Sequence, residues 1–214
     1  MLTVSGFISG GMSILNIQTV LDNLKRRGFH AVYFDTKEAA AEQLSAELHG
    51  TSIGFGGSVT AQQMGLYELL GKDNEVFWHW KDGDRILAQR SAAHAKVYIL
   101  SANALSETGE LVNIDGNGNR VASSLYGHER VIFLVGVNKL TPDLPSAIDR
   151  ARNVASPLNA RRLNRKTPCA LSEPMKCHDC ASPERICSGI VIHTQKMGSI
   201  RQMDVYLIGE ELGY

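Results

Sequence analysis

Residues 51–60 read TSIGFGGSVT, and this stretch decides the fold. Thr51 to Phe55 has the length and apolar character of a short buried strand. Gly56 and Gly57 then break the run, and Ser58 and Thr60 stand where a helix would open. Strand, glycine turn and helix in that order form the repeating unit of a parallel sheet. Glycines let a backbone approach an anion closely, and the first N–H groups of the next helix add a positive dipole end. The spacing is neither the Rossmann nor the P-loop pattern, and no lysine follows. Two readings stand at this point: an anion-holding loop, or a tight turn with a hydroxyl cap.

The pattern continues in both directions. Ser13 is the expected cap of a helix with apolar positions Ile14, Ile17, Leu21 and Leu24, ended by Gly28. Phe29 to Phe34 predicts a strand, and Thr36 opens an alanine-rich helix running to Gly50. A helix is expected from about Thr60 to Leu70, a strand from Glu75 to Trp80 and a helix from Asp82 to His94. Lys96 to Leu100 and Glu110 to Ile114 predict strands, with a helix from about Asn119 to Tyr126. Val131 to Val135 has the continuous apolar composition of a central parallel strand. Pro145 to Ala155 predicts a helix with proline in its first turn. Ile190 to His193 and Val205 to Ile208 predict closing strands. Alternating strands and helices imply an α/β fold: a mixed, mostly parallel sheet with helices on both faces.

With 214 residues the chain is expected to form one domain, residues 1–214. Apolar residues make up 43% of it, enough for a core without disulfide staples. Lysine plus arginine equals aspartate plus glutamate, 22 against 22, so overall charge argues neither for nucleic acid nor for a membrane surface. The longest apolar runs, such as Val131 to Val137, are strand-sized. Met1 to Gly11 carries no positive charge before its apolar residues, unlike a secretory signal, so a cytoplasmic protein is expected. In that reducing compartment a cysteine cluster points to metal rather than to disulfides.

All four cysteines lie late, at Cys169, Cys177, Cys180 and Cys187, in the pattern C-x7-C-x2-C-x6-C. Pro168, Pro174 and Pro183 oppose a helix there, so residues 167–189 are expected to be a C-terminal cysteine-rich loop around a centre. Four thiolates suit tetrahedral zinc and suit a [4Fe–4S] cluster equally well. His178 sits inside the motif as a further ligand or a tuning group.

A second turn is rich in polar residues. Asp115-Gly116 and Asn117-Gly118 supply residues that tolerate positive φ. Asn119 is placed to cap the following helix. Arg120 falls in that helix's first turn, the unfavourable end for a cation unless an anion or Asp115 pairs with it. Downstream, Arg150, Arg152, Arg161, Arg162, Arg165 and Lys166 form a basic run without an acid; this reads as a solvated helix face followed by a linker, or as a site for an anionic ligand or partner near the cysteine loop. Trp78 and Trp80 flank His79 as one face of a half-buried strand.

Taken together, Gly54–Thr60, Ser101–Ala104, Gly109–Arg120, Val135–Lys139, Pro142–Leu144 and Gly209–Tyr214 resemble the LUD (lactate utilization) domain family. The four-cysteine segment resembles the subset of that family with C-x2-C near its end. The likeness runs from about Leu15 to Tyr214, and the first dozen residues depart from the charged N-terminal helix of the family. The resemblance implies a fold similar to the NagB/RpiA and CoA-transferase group. By that analogy Gly56, Gly57, Ser58, Thr60, Asn103, Asp115, Asn119 and Arg120 line a ligand pocket.

Family members are linked with oxidation of lactate to pyruvate beside iron–sulfur partner proteins. The resemblance therefore implies an accessory or electron-transfer subunit carrying a [4Fe–4S] centre on the four cysteines. Its ligand would be a small anion: lactate or pyruvate, a sugar phosphate or a CoA ester. An alternative is an isomerase-like or CoA-transferase-like enzyme with structural zinc, using Glu110 as acid/base or nucleophile. A third is a non-catalytic module that binds a small anion. The residues leave the oligomeric state open.

Overall fold

A computed structural model describes residues 16–214. The expected cap Ser13, the apolar position Ile14 and the uncharged segment Met1 to Gly11 lie outside those residues. The first described helix, α1 (Ile17–Arg26), is capped by Asn16, whose side chain accepts from the backbone N–H of Gln18 at 2.9 Å. Gly28, at φ +81, ends the turn after α1 as expected.

Six strands form one sheet: β1 (His30–Phe34), β2 (Ser52–Phe55), β3 (Glu75–Phe77), β4 (Val97–Ser101), β7 (Arg130–Gly136) and β10 (Gln202–Ile208). Their order is β1-β10-β7-β4-β2-β3, and all five pairings are parallel. The alternation of β7 shows why helices cover both faces. Val131, Phe133 and Val135 join Val20 and Leu24 of α1 in one core. Ile132 and Leu134 join Ala40 and Leu44 of α2 (Lys37–Glu47) in the other. Thr36 caps α2 by accepting from Ala39 N–H at 3.2 Å.

Four further strands make a separate sheet, which the sequence pattern did not distinguish from the first. These are β5 (Ala104–Ser106), β6 (Leu111–Asp115), β8 (Leu140–Thr141) and β9 (Gly189–His193), ordered β8-β5-β6-β9. β6 pairs antiparallel with β5 and with β9, so the two strands expected to close the chain lie in different sheets. β10 is internal in the parallel sheet.

Several boundaries move for local reasons. The helix expected over 60–70 is two short ones, α3 (Val59–Gln63) and α4 (Leu66–Leu70), split at Gly65 with φ +63. The helix after the tryptophans, α5 (Arg85–His94), takes Asp84 as its cap. Trp78 and Trp80 follow β3 rather than belonging to it. The next helix, α6 (Asn119–Leu125), has Gly118 in the capping position at φ +85, so Asn119 is its first residue and not its cap. The helix opened by Asp143 runs past its expected end. It comprises α7 (Leu144–Arg150), a π-helical turn over Ala151–Ala155 and α8 (Ser156–Arg162). Pro157 lies inside this continuous helix, directly after the π-helical turn, where the i→i−4 ladder is already interrupted. A one-turn helix, α9 (Pro168–Leu171), begins the cysteine segment, which is otherwise irregular up to β9. Among the described residues no helix is long and apolar enough to cross a membrane.

Candidate functional site

The strand order reverses between β2 and β4: β3 lies on one side of this pair, while β7 and β10 lie on the other. Loops leaving the two strands at their carboxyl ends part here, which is where open parallel sheets hold ligands. A cavity of about 220 Å³ occupies this place. Gly57, Ser58 and Thr60 line it after β2, and Ser101 and Asn103 line it after β4. Asp115, Asn119 and Arg120 enter from β6 and α6, and Lys139 follows β7.

The β2–α3 turn is held by its own cap, Ser58 Oγ accepting from Ala61 N–H at 3.1 Å. Gly56 lies behind the wall rather than in it: a Cβ there would meet Arg120 Cγ at 3.0 Å. Its role is to admit Arg120. A Cβ on Gly57 would meet the Trp80 indole at 3.1 Å.

Arg120 is nearly buried, with 13% side-chain exposure. Its guanidinium donates to Ser101 O at 3.2 Å, to Ile114 O at 2.6 Å and to Asn113 Oδ1, and pairs with Asp115 at 3.5 Å. Burial pulls its pKa below the usual range, with the Asp115 carboxylate opposing that shift. Asp115 Oδ1 also accepts from the N–H groups of Asn117 and Gly118, at 3.0 Å each, which shapes the polar turn.

Several cavity residues lie outside the set expected from the sequence. Lys139 is 3% exposed and donates to Ser101 Oγ at 2.8 Å and Thr60 Oγ1 at 2.9 Å. Burial, reinforced by Arg150 and Arg120, pushes its pKa down to about 7. Two signals pointed to it: its place in the Val135–Lys139 stretch and its position just past a central parallel strand. His79 and Trp80 reach the cavity from the turn after β3. Burial and then Arg85 hold the His79 pKa below its ordinary value. Its Nδ1 is buried without a partner among the described residues. Trp80 stacks on Trp78, ring centroids 5.5 Å apart, and carries the Arg162 guanidinium 4.8 Å above its ring.

The basic run divides. Arg162 and Arg165 line the cavity. Arg150 is committed to the carbonyls of Asn103 and Asn138. Arg152 pairs with Asp179 at 3.0 Å, and Arg161 pairs with Glu173 at 2.8 Å. The cavity therefore gathers Arg85, Arg120, Lys139, Arg162 and Arg165 around a single side-chain carboxylate, Asp115. Of these five residues only Arg120 has a side-chain carboxylate partner among the described residues.

Glu110 lies outside this cavity. Its carboxylate accepts from Ser106 and Thr108 and pairs with Arg27 of the segment after α1. Burial pushes its pKa up, but those hydroxyls and the guanidinium outweigh it and hold the group below the usual range. A saturated carboxylate away from the glycine turn is a structural tie, and the acid/base expectation for it is withdrawn.

The cysteine segment forms part of the cavity wall. Ile186 lines the cavity, and a Cβ on Gly116 would lie 2.9 Å from its carbonyl oxygen. Cys169 is buried beside Ala160 and Ala170, and Thr167 Oγ1 lies 3.2 Å from its Sγ. Cys177 Sγ accepts from Asp179 N–H at 3.4 Å and from Arg152 at 3.7 Å. All four thiols are free. Burial raises the Cys187 pKa, and the nearby Cys177 and Cys169 thiols add to the rise. Among the described residues no three His, Cys, Asp or Glu side chains are grouped to hold a metal ion.

Comparison with known proteins follows the same lines. No curated protein is significantly similar in sequence. The crystal structure of a DUF162 family protein from Deinococcus radiodurans aligns with a TM-score of 0.50 at 12% identity, covering 90% of this chain and 96% of that one. At that identity the likeness is one of fold. The structure of eIF2B beta from Chaetomium thermophilum aligns over 61% of this chain and 48% of its own, at 16% identity and a TM-score of 0.36, too slight to carry an argument. The family model of the LUD domain matches residues 17–208. The chain belongs to the LUD (lactate utilization) domain family.

Proposed function

We propose that this LUD-domain protein binds a small anionic metabolite in the cavity at the carboxyl ends of β2, β4 and β7. In this reading it serves lactate utilization as an accessory, electron-transfer subunit in the cytoplasm. The observation that carries the anion reading is the make-up of the cavity: four guanidiniums and a lysine against one side-chain carboxylate. Clustered guanidiniums that outnumber their carboxylates repel one another, and a bound carboxylate or phosphate relieves that repulsion. The volume of about 220 Å³ suits a ligand of lactate or pyruvate size, or the anionic end of a sugar phosphate or CoA ester.

The cysteines extend the proposal. Four free thiols on one segment, with N–H donors on the Cys177 sulfur, have the donor chemistry of a [4Fe–4S] site. Cys169, Cys177, Cys180 and Cys187 would hold the cluster, which would supply one-electron chemistry beside the cavity wall at Ile186. Iron–sulfur proteins are the expected redox partners.

The test is one preparation made without oxygen. Its iron, sulfide and zinc are measured, and its melting point is followed against lactate, pyruvate, sugar phosphates and CoA esters. The expected result is about four irons and four sulfides per chain, with a melting point raised by at least one anion. Zinc without iron would remove the electron-transfer role. No shift with any anion would remove the ligand reading. A shift with neither metal would leave a non-catalytic anion-binding module.

A further inference from the structure

Attraction to an anion does not explain how Lys139 is held. Its amine is buried at the rim of the cavity, where β7 ends. It donates to Thr60 Oγ1 and Ser101 Oγ. The protons of those two hydroxyls are already committed. Ser101 Oγ donates to Leu134 O at 2.5 Å, and Thr60 Oγ1 donates to Leu212 O at 3.3 Å or to Ser101 Oγ at 3.4 Å. Both oxygens therefore turn lone pairs toward Nζ, which spends two N–H bonds on them. Among the described residues there is no third acceptor, and no carboxylate pairs with the amine. The charged groups acting on it are Arg150 and Arg120, both cationic. An ammonium here would leave one buried N–H unpaired beside two guanidiniums. A neutral amine is satisfied by two hydroxyls and keeps a free lone pair.

We propose that Lys139 is a nucleophilic amine that captures a small carbonyl-bearing anion as a Schiff base in this cavity. The inference rests on the anion reading above and narrows it to ligands that also carry a ketone or aldehyde. Nζ attacks the carbonyl carbon, forming the C–N bond as the C=O π pair moves to oxygen. A proton passes from nitrogen to that oxygen to give the carbinolamine. A proton from solvent on the hydroxyl lets water leave as the nitrogen lone pair forms the C=N bond, giving the protonated imine, which returns a proton to solvent to give the neutral imine. No oxidant or reductant is consumed. Arg162 and Arg165, which have no carboxylate partner, stand ready for the anionic group. A 2-oxo carboxylate and a ketose phosphate share this chemistry.

The experiment is borohydride trapping of the full-length protein with pyruvate and, separately, with dihydroxyacetone phosphate, read by peptide mass spectrometry. Melting points are measured in parallel, with lactate as the anion that lacks a carbonyl. The expected result is a reduced adduct on Lys139, in excess by about tenfold or more over the exposed Lys72 and Lys176. Whichever probe gives the adduct identifies the class. Lys139→Met should lose the adduct; if that variant fails to fold, the site assignment in the wild-type protein decides alone. No adduct with either probe, or equal labelling of all lysines, overturns the proposal. If lactate and pyruvate then raise the melting point alike, the anion reading survives without it. If neither shifts the melting point and no adduct forms, both readings fall.

Discussion

Gly56 and Arg120 occupy adjoining space. A Cβ on Gly56 would lie 3.0 Å from Cγ and 3.2 Å from Cδ of Arg120, and 3.3 Å from the Tyr98 hydroxyl. The glycine is required by the arginine stem, not by a positive φ. Gly56→Ala should cost about 1–3 kcal/mol through overpacking and should shift Arg120 enough to weaken anion binding. Chemical denaturation measures the first effect and calorimetric titration the second. An alanine variant with wild-type stability and affinity would show that the stem has room to move.

Arg120 satisfies Ser101 O, Ile114 O, Asn113 and Asp115 at once. Arg120→Met leaves the Asp115 carboxylate, only 10% exposed, without its counter-charge. The expected loss is about 3 kcal/mol or more. Arg120→Lys should recover little of it, because one ammonium cannot serve a fork of acceptors. Urea unfolding of the three proteins checks both statements.

Lys139 links stability to pH. Its pKa is lowered from 10.5 to about 7 in the folded chain, while the unfolded chain keeps the ordinary value. Between these values the unfolded state holds the extra proton, so stability rises with pH. The penalty of the buried charge is fully present below pH about 7 and fades as pH approaches the unfolded value. The wild-type protein should therefore gain stability relative to Lys139→Met between pH 7 and pH 10. Parallel melts across that range read it directly.

Trp80 supports Arg162 and stacks on Trp78. Trp80→Ala should cost about 2 kcal/mol, since the ring is half-buried. It should also weaken anion binding, because Arg162 loses a platform contributing about 0.5–1 kcal/mol. In the wild-type protein a bound anion should change tryptophan emission, and this change should vanish in the variant.

Glu110→Gln separates structure from site. The variant should lose about 1–2 kcal/mol, as Arg27, Ser106 and Thr108 lose a charged acceptor. The wild-type carboxyl has a lowered pKa, so its contribution is present above the unfolded value of 4.5 and is lost as pH falls through the folded one. The variant should thus be less acid-sensitive, with anion binding unchanged at pH 7. Loss of binding without loss of stability would return Glu110 to the site.

The local pattern was enough for the strand–glycine–helix unit at residues 51–60, the parallel central strand and helices on both faces. Backbone propensity, apolar period and the positive-φ tolerance of glycine act over a few residues, so they can be read from a few residues. The same holds for the Ser58 and Thr36 caps. Pairing was not legible: nothing local in Leu111–Asp115 distinguishes a strand of a second antiparallel sheet from one in the first. Nor was the full site. Ser58, Asn103 and Arg120 announced themselves in glycine-rich and polar turns, but the basic run around Arg162, the Val135–Lys139 stretch and Trp80 did not show that they meet in one cavity. They acquire their character only where three strand ends and the extended α7–α8 helix meet. A lysine's charge state and an arginine's partner are set by desolvation and by neighbours far apart in sequence, and those neighbours exist only once the chain has folded.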